Sequence, residues 1–490
     1  MRHGAALPKT LPEAHALIAS LLERRDQMER LVEKQAKRIE ELERQLKQTS
    51  RNSSKPPSSD SGSPPRPPKK SSGRKPGAQT GHQGHQRKLL PLARVDHLQH
   101  VWPARCGHCS EDLGDEALRV EVGDPLRHQV AEIPPARAVV TEYQLHSQCC
   151  PGCQHTTAAE LPDGAPRSAF GPRLQAVAAM LSGLYRLSKR SVKTMLSDLF
   201  DVEISLGAIV ACEQRTSQAL AAPVAELGDY VRAQDTVNAD ETSWRERRRK
   251  CWLWVAVTRS ATIFMIHARR GAVAARILLG DFAGILGSDR WCAYESHKLS
   301  KRQLCWAHLK RHFEEFAQYR GAPGLIGNSL LRFTELIFAC WHQARDEGWS
   351  RSKLRRRTAP LQRSLEECLR RGSVCGQKRV QGTCKQLLAR VSALWTFLRV
   401  PGVEPTNNSA ERALRSAVIM RKTSFGTHSE GGSRFLERML STVATLRQQT
   451  RSVLDYLEET CDRALLGRRP RSLLPHARIM TADAIETPGQ

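Results

Sequence analysis

Residues 236–268, TVNADETSWRERRRKCWLWVAVTRSATIFMIHA, contain the pattern that sets the fold class. Three runs rich in β-branched and aromatic residues, TVNADETSW, CWLWVAVT and ATIFMIHA, predict three successive strands, the last two forming a buried hairpin. Downstream, GAVAARILLGDF predicts a helix, AGILGSD a short fourth strand, and KRQLCWAHLKRHFEEFAQ a strand that runs into a helix. This order predicts a mixed sheet with helices on its faces, and the basic, helical stretch that follows predicts an insertion in this domain.

Three carboxylates fall at the ends of these predicted elements. Asp240 ends the first strand and Asp289 the fourth, while Glu411 opens a helix in PTNNSAERALRSAVIMRKTSFG. Strand ends present side chains to a shared cleft, so the three acids could hold two Mg²⁺ ions that act on phosphodiesters. The alternative for Glu411 is a capping box, with Asn408 as N-cap, Glu411 as the N3 acid and Arg415 as its i,i+4 partner.

The charge balance indicates the kind of partner. The chain of 490 residues carries a formal net charge of +26, which indicates a polyanion, either nucleic acid or an anionic membrane. We see no apolar run of about 18 residues, no signal-peptide pattern and no amphipathic anchor, so we expect neither membrane insertion nor secretion. The fourteen cysteines are then expected to be reduced thiols or metal ligands, and the partner to be DNA or RNA.

Two basic regions are candidate DNA contacts. Around the three acids, the expected phosphate-binding residues are Arg412, Arg415, Arg421 and Lys422. Upstream, residues 187–220 predict a helix, a turn and a second helix opened by Ser205, which is typical of a helix-turn-helix. Its candidate contacts to the DNA backbone are Lys189, Arg190 and Lys193, although a helical hairpin that merely packs has the same pattern.

The N-terminal region predicts a coiled coil followed by a linker. With a positions at every seventh residue from Leu11, nine of the eleven a and d positions between Leu11 and Leu46 are apolar. We expect self-association through this seam, the alternative being a lone amphipathic helix packed on the protein. The next segment is rich in Ser, Pro, Gly and bases, so it predicts a disordered linker, either lying along DNA phosphates or simply solvated.

Two CxxC pairs predict a structural zinc site. Cys106 and Cys109 form one pair and Cys150 and Cys153 the other, and four thiolates complete a tetrahedral site. Cys149 or His155 could replace one ligand, and unrelated free thiols are the alternative. The stretch between the pairs, RHQVAEIPPARAVVTEYQLHS, predicts a hairpin-built ribbon.

The chain resembles transposases of the bacterial Insertion Sequence 66 family along nearly its whole length. The resemblance rests on the coiled coil, the paired cysteines, RNSSKPPSSD, GRKPGAQTGHQGH, ADETSW, SDRWCAYE, CWAHLKRHF and NNSAERALRSAVIMRKTSFG in this order. It implies a ribonuclease-H-like catalytic domain with a DDE triad formed by Asp240, Asp289 and Glu411. The family commonly has Asp at the position of Thr406, and Gly and Tyr at the positions of Arg290 and Trp291.

The CWAH motif is a further point of resemblance. Cys305 and His308 match a Cys-x-x-His signature found after the second acid of transposases with helical insertions. They are expected to brace the active site or contact DNA, and simple packing is the alternative. A zinc site is not expected, because two further ligands would be needed. Asn407 and Asn408 either cap the helix or touch the scissile strand.

The fold expected from these observations is multidomain α/β. Its segments are a coiled coil (11–48), a basic linker (49–90), a zinc ribbon-like module (95–160), a helix-turn-helix-like domain (170–225), a ribonuclease-H-like core in two parts (233–316 and 401–460), a helical insertion (317–400) and a C-terminal tail (461–490).

The expected function is that of a DNA transposase. It would bind terminal inverted repeats through the zinc and helical modules, cleave at 3′ ends with two Mg²⁺ ions and join the ends to target DNA. The resemblance also implies two small companion proteins of the same element. We further expect an oligomer formed through the coiled coil, and a cytoplasmic, nucleoid-associated location. The alternatives are a non-catalytic DNA-binding regulator, a nuclease without strand transfer, and a decayed transposase.

Overall fold

A computed structural model describes Pro8 and residues 10–46, 88–120 and 122–475. The chain divides into two compact units, Ser63–Ala138 and the combination of Met1–Gly62 with Val139–Gln490. Three predicted features fall wholly or partly outside the described residues: the end of the coiled coil at 47–48, most of the basic linker at 49–87, and the tail at 476–490.

Helices predominate in the described part of the chain. The strands are β1 (Ser147–Cys149), β2 (Thr156–Ala158), β3 (Thr236–Glu246), β4 (Arg249–Val257), β5 (Thr262–His267), β6 (Ile285–Ser288) and β7 (Arg302–Leu304). The helices are α1 (Leu11–Leu46), α2 (Pro172–Gly183), α3 (Lys189–Phe200), α4 (Leu206–Ala219), α5 (Ala221–Arg232), α6 (Ala272–Leu279), α7 (Trp306–Phe316), α8 (Ala322–Asp346), α9 (Arg351–Gly372), α10 (Lys378–Ala389), α11 (Thr396–Arg399), α12 (Asn408–Ser424), α13 (Glu430–Gln448) and α14 (Val453–Leu465).

The main sheet has five strands in the order β5-β4-β3-β6-β7. β3, β4 and β5 form an antiparallel meander, and β6 and β7 run parallel to β3. The predicted order of strands and helices in this region is therefore confirmed. β4 is buried on both faces because its side chains alternate between two cores, with Trp254 in one and Leu253 and Val255 in the other.

The two faces of the sheet carry different helices. One face packs against a core built from α2, α5, α6, α13 and α14, represented by Ala179, Leu278 and Leu446. The other face packs against α12, whose Ala410, Leu414 and Ala417 share a core with β4 and β5. Helix α12 thereby lies on β3 and β4, which brings its N-terminus to the sheet.

Helix α13 covers the free edge of β5 with polar side chains. The backbone N–H of Phe264 donates to Ser441 Oγ at 2.9 Å, and that of Thr262 donates to Thr445 Oγ1 at 3.0 Å. One turn earlier, Glu437 accepts the N–H of Ile266. An i,i+4 row on the helix thus matches alternate N–H groups of the strand, which leaves this edge closed to pairing with another chain.

The predicted helical insertion consists of α8 to α11 and forms a core with α7. Gly327 of α8 allows a close crossing with α7, because a Cβ atom there would lie 2.3 Å from the backbone nitrogen of Ala317. The tight contact joins the insertion to the helix that follows β7.

The predicted helix-turn-helix segment forms its two helices, α3 and α4. Ser205 caps α4 by accepting the N–H of Ala208 at 3.1 Å, and Asp201 ends α3 in the left-handed conformation. The predicted domain at 170–225 is not separate from the rest of the fold, however, because its helices α2 and α4 pack against α13 and α14. Helix α14 also continues past residue 460, and Leu473 is fully buried, so residues 461–475 belong to the packed body rather than to a tail.

The predicted hairpin between the cysteine pairs is wrong. Residues 127–146 contain no strand, and Val139 and Val140 are 94% and 88% exposed. The alternating apolar residues pair with no strand in the part of the chain that the structure describes, and Pro134 and Pro135 remove two backbone donors. The short hairpin that does form consists of β1 and β2 around the second cysteine pair.

Helix α1 runs without interruption and exposes its apolar seam, for example Ile18 at 54% and Val32 at 62%. Self-association through this seam stays a prediction.

None of the helices among the described residues has the length and apolar character needed to span a bilayer.

Candidate active site at the carboxyl edge of the sheet

The strands β6 and β7 run parallel to β3 and end at the level of Asp240. The prediction that Asp240 ends its own strand is wrong, because the pairing of β3 with β4 continues to Glu246. The pairing registers of β3, β6 and β7, continued by one or two residues, place Asp289 between Asp240 and Cys305. The backbone N–H of Cys305 donates to the carbonyl oxygen of Ser288 at 2.9 Å, which extends the β6–β7 pairing to this level. The strand register therefore aligns the two predicted acids with the cysteine of the CWAH motif.

Asp240 is oriented toward helix α12. It pairs across the sheet with Val255, whose side chain lies in the core beneath that helix. Burial raises the pKa of Asp240 well above its usual value, and the negative charges of Glu241, Asp289 and Glu411 raise it further. Such crowding of carboxyl groups would be relieved by a bound cation.

Glu411 does not form the alternative capping box. The N-cap of α12 is Asn407 rather than Asn408, so Glu411 is the fourth helical residue. Its Oε2 atom accepts a hydrogen bond from Arg311 at 3.4 Å, and its Oε1 atom lies 3.4 Å from His308 Nδ1. The capping prediction is wrong because the carboxylate turns toward α7 and does not turn back along its own helix.

The three acids are close enough to interact electrostatically but do not form the tightest cluster. Among the described residues, the one group of three potential metal ligands within 4.8 Å of one another is Cys305, His308 and Glu411. Burial raises the pKa of the Cys305 thiol to about 12 and lowers that of His308, although the charges of Asp289 and Glu411 act against the lowering. His308 of the CWAH motif thus contacts the third predicted acid, and the sulfur of Cys305 lies within 4.8 Å of it.

Asn407 ties the site together. Its Nδ2 donates to the carbonyl oxygen of Ala239 at 2.8 Å, and its backbone N–H donates to Cys305 Sγ at 3.2 Å. The side chain is fully buried, and its Oδ1 has no hydrogen-bond partner. Asn407 therefore braces the site, whereas Asn408 lines a cleft beside it.

Sequence reasoning missed a buried acid, Glu241, on the opposite face of β3 from Asp240. Glu241 accepts hydrogen bonds from Tyr294 Oη at 2.6 Å and from Arg270 Nε at 2.9 Å. The Arg270 guanidinium stacks over Trp291 at 4.2 Å and Trp252 at 4.7 Å. Strand alternation was the available signal, since neighbouring residues of a strand face opposite sides. The unusual Trp291 thus has a packing role.

A cleft of roughly 800 Å³ opens beside Glu411. Two carboxylates, Glu314 and Glu404, line it together with a larger number of cations and aromatic rings. The cations and rings come from α7, α8 and α12 and are Lys310, Arg311, Arg345, Arg412, Phe338, Trp341 and His342. Of the other predicted DNA contacts on α12, Arg415 and Lys422 are exposed. Arg421 instead donates to Thr242 Oγ1 at 3.1 Å and to Ser243, so it joins α12 to β3.

The predicted contacts on α3 differ from one another. Lys189 pairs with Glu213 of α4, and burial lowers its pKa to about 8. Arg190 and Lys193 are exposed. Lys189 is therefore engaged within the fold, and its role at DNA, like those of Arg190 and Lys193, stays a prediction.

Each cysteine pair forms a tight turn of its own. The N–H of Ser110 donates to the carbonyl oxygen of Cys106 at 3.0 Å, and that of Gln154 donates to Cys150 at 2.8 Å. Backbone N–H groups, foremost that of the second cysteine in each pair, lower the pKa of the Cys106 and Cys150 thiols. A lower pKa favours the thiolate form that binds zinc. The joining of the two pairs in one site with Cys109 and Cys153 stays a prediction.

Comparison with known proteins identifies two regions. Residues 167–434 match the family described as "Transposase IS66 family", and residues 5–88 match a family of unknown function, DUF6444. Two proteins of Sinorhizobium fredii, both named as uncharacterized, are similar. The first, y4qI, is 27% identical over 49% of this chain and 50% of its own length; the second, y4jD, is 25% identical over 42% and 46%. The chain spans about half the length of these curated relatives.

Proposed function

Because the chain belongs to the IS66 transposase family, we propose that it is a DNA transposase that cleaves DNA at the ends of a mobile element and joins them to target DNA. Water hydrolyses a phosphodiester at each end, and the freed 3′-hydroxyl then attacks a phosphodiester of the target and displaces a target 3′-oxygen. The ribonuclease-H-like character of the sheet domain is part of this proposal.

The observation that carries the proposal is the alignment of Asp240 and Asp289 on neighbouring parallel strands, on the face where α12 presents Glu411. The donor set is carboxylate oxygen, which Mg²⁺ prefers, and the crowding that raises the pKa of Asp240 favours a cation. Two Mg²⁺ ions held by these three residues would stabilise the attacking and leaving oxygens.

The basic residues then have distinct tasks. Arg412 and Lys310 in the cleft would bind phosphates of the DNA end, while Arg311 holds one oxygen of Glu411. Arg415 and Lys422 on the exposed side of α12 would extend this contact. Asn407, through its bond to Ala239, keeps the start of α12 in place.

The remaining modules would bind and pair the DNA ends. We assign recognition of terminal inverted repeats to the zinc site of the paired cysteines and to α3 and α4. The exposed seam of α1 would hold two copies together. The two small companion proteins of the element would assist the reaction.

The test is a strand-cleavage and joining assay with labelled DNA that carries the element's ends, Mg²⁺ and the companion proteins. The proteins compared are wild type, Asp240→Asn, Glu411→Gln and the control Asp281→Asn, which changes an exposed acid after α6. We expect wild type and control to cut and join, and the first two variants to bind DNA but lose both activities by a factor of at least ~100.

Three other outcomes would decide between the alternatives. Cleavage by wild type without joined products would favour a nuclease. DNA binding without cleavage by any protein would favour a non-catalytic regulator or a decayed copy. Full activity of Glu411→Gln would remove Glu411 from the catalytic set.

A further inference from the structure

The contact between the CWAH motif and Glu411 has two buried polar atoms without hydrogen-bond partners. His308 Nδ1 and Glu411 Oε1 lie 3.4 Å apart, yet neither makes a hydrogen bond. A nitrogen and an oxygen bound to one tetrahedral ion at about 2.0–2.1 Å are separated by about 3.4 Å. The pair therefore has the spacing of two ligands of one ion.

The third ligand atom is the sulfur of Cys305. It lies within 4.8 Å of the ligand atoms of His308 and Glu411. Cys305 is the N-cap of α7 and accepts the backbone N–H of Asn407 at 3.2 Å, so its sulfur faces backbone donors that would stabilise a thiolate. One thiolate and one carboxylate also balance the charge of a divalent ion.

The ligand types select the metal. Sulfur and imidazole ligands suit Zn²⁺ and Co²⁺, whereas Mg²⁺ requires oxygen. Arg311 holds the other oxygen of Glu411, which leaves Oε1 to the ion. Three protein ligands leave one tetrahedral position open, whereas structural zinc sites are closed by four protein ligands.

We propose that Cys305, His308 and Glu411 bind one divalent ion of the zinc class through a sulfur, a nitrogen and an oxygen atom, at a site distinct from the paired cysteines. This binding does not depend on the proposed function. One consequence of the binding rests on the proposed function. An ion at this site occupies Glu411 Oε1, so the ion competes with Mg²⁺ for the third acid of the proposed catalytic centre.

The experiment is a titration of the metal-free full chain with Co²⁺ in the absence of DNA. Thiolate-to-cobalt absorption and bound ions per chain are measured for a parent variant, Cys106→Ser with Cys150→Ser. The same parent is measured with Cys305→Ser, with His308→Gln and with the control Cys292→Ser, which alters an exposed cysteine. The two substitutions of the parent remove one ligand of each paired-cysteine turn. Far-UV circular dichroism checks that each variant is folded.

We expect the parent and Cys292→Ser to bind one ion with a sulfur-to-cobalt band. Cys305→Ser should lose that band, and His308→Gln should weaken binding by a factor of at least ~10. If Cys305→Ser fails to fold, His308→Gln decides the question. The inference is overturned if the parent shows no such band, or if both variants bind cobalt as the control does. Because no DNA is cut, loss of transposase activity cannot be mistaken for loss of this site.

Discussion

Glu437 is expected to make the stability of the protein depend on pH. The carboxyl lies at the β5 edge, where it accepts the Ile266 N–H and pairs with Arg434 at 2.9 Å. Burial is the main cause that raises the pKa of Glu437 from 4.5 to about 7, and the negative charge of Glu246 adds to the rise. The Ile266 N–H and the charges of Arg434 and Arg438 act in the opposite direction. The folded protein therefore binds this proton more tightly than the unfolded chain does.

The sign and size follow from that difference. A raised pKa in the folded state contributes stability that is fully present below the unfolded value of 4.5 and is lost as the pH rises through about 7. Each pKa unit corresponds to about 1.4 kcal/mol, so the free energy of unfolding should fall by about 2–3 kcal/mol between about pH 5 and about pH 8 through this group.

Glu437→Gln should abolish this dependence, because a neutral amide can still accept the Ile266 N–H at every pH. The measurement is urea unfolding across the pH range, extrapolated to water. The variant should gain about 2–3 kcal/mol relative to wild type between about pH 5 and about pH 8. Glu430→Gln, an exposed change on the same helix, should give a difference that stays constant with pH. Parallel curves for wild type and Glu437→Gln would refute the reasoning, since the carboxyl would then be ionised in the fold throughout.

Three further predictions concern packing, the brace and zinc. Gly327→Ala should destabilise the protein by about 1–3 kcal/mol in thermal denaturation, because its Cβ would press on the backbone of α7. Gly382→Ala, which has open space around its Cβ, should not destabilise the protein. Equal stability of the two variants would mean that α7 and α8 cross less tightly. Asn407→Ala should lower the free energy of unfolding by about 1–3 kcal/mol, since it removes the buried hydrogen bond to Ala239. Asn408→Ala should lower it by less than about 0.5 kcal/mol. The reverse order would show that Asn407 does not hold the start of α12 in place. Cys150→Ser should lower the zinc content measured by mass spectrometry by one ion per chain relative to Cys292→Ser. An unchanged zinc content would show that the paired cysteines bind no zinc.

Local patterns predicted the elements well where each element is defined by its own residues. The strands of the meander, the turn between α3 and α4, and the cap at Ser205 depend on β-branched runs and short-range hydrogen bonds, and all were predicted. The hairpin at 127–147 failed because alternation predicts a strand only where a partner strand exists. The capping box of Asn408 and Glu411 failed for a related reason. The N-cap is Asn407, whose side chain bonds to β3, and Glu411 faces α7 and does not turn back along its own helix.

The amino-acid sequence by itself determined the order of the elements in the sheet domain, the family and the position of Asp289 directly after a strand, because periodicity and short motifs are properties of contiguous residues. Only the tertiary structure decided that Asp240 and Glu241 face opposite sides of the sheet, that α13 seals the β5 edge, and that Cys305 and His308 meet Glu411. These relations depend on strand register and on the docking of helices remote in the chain. Contiguous residues carry no direct record of either, because both arise from contacts between distant segments.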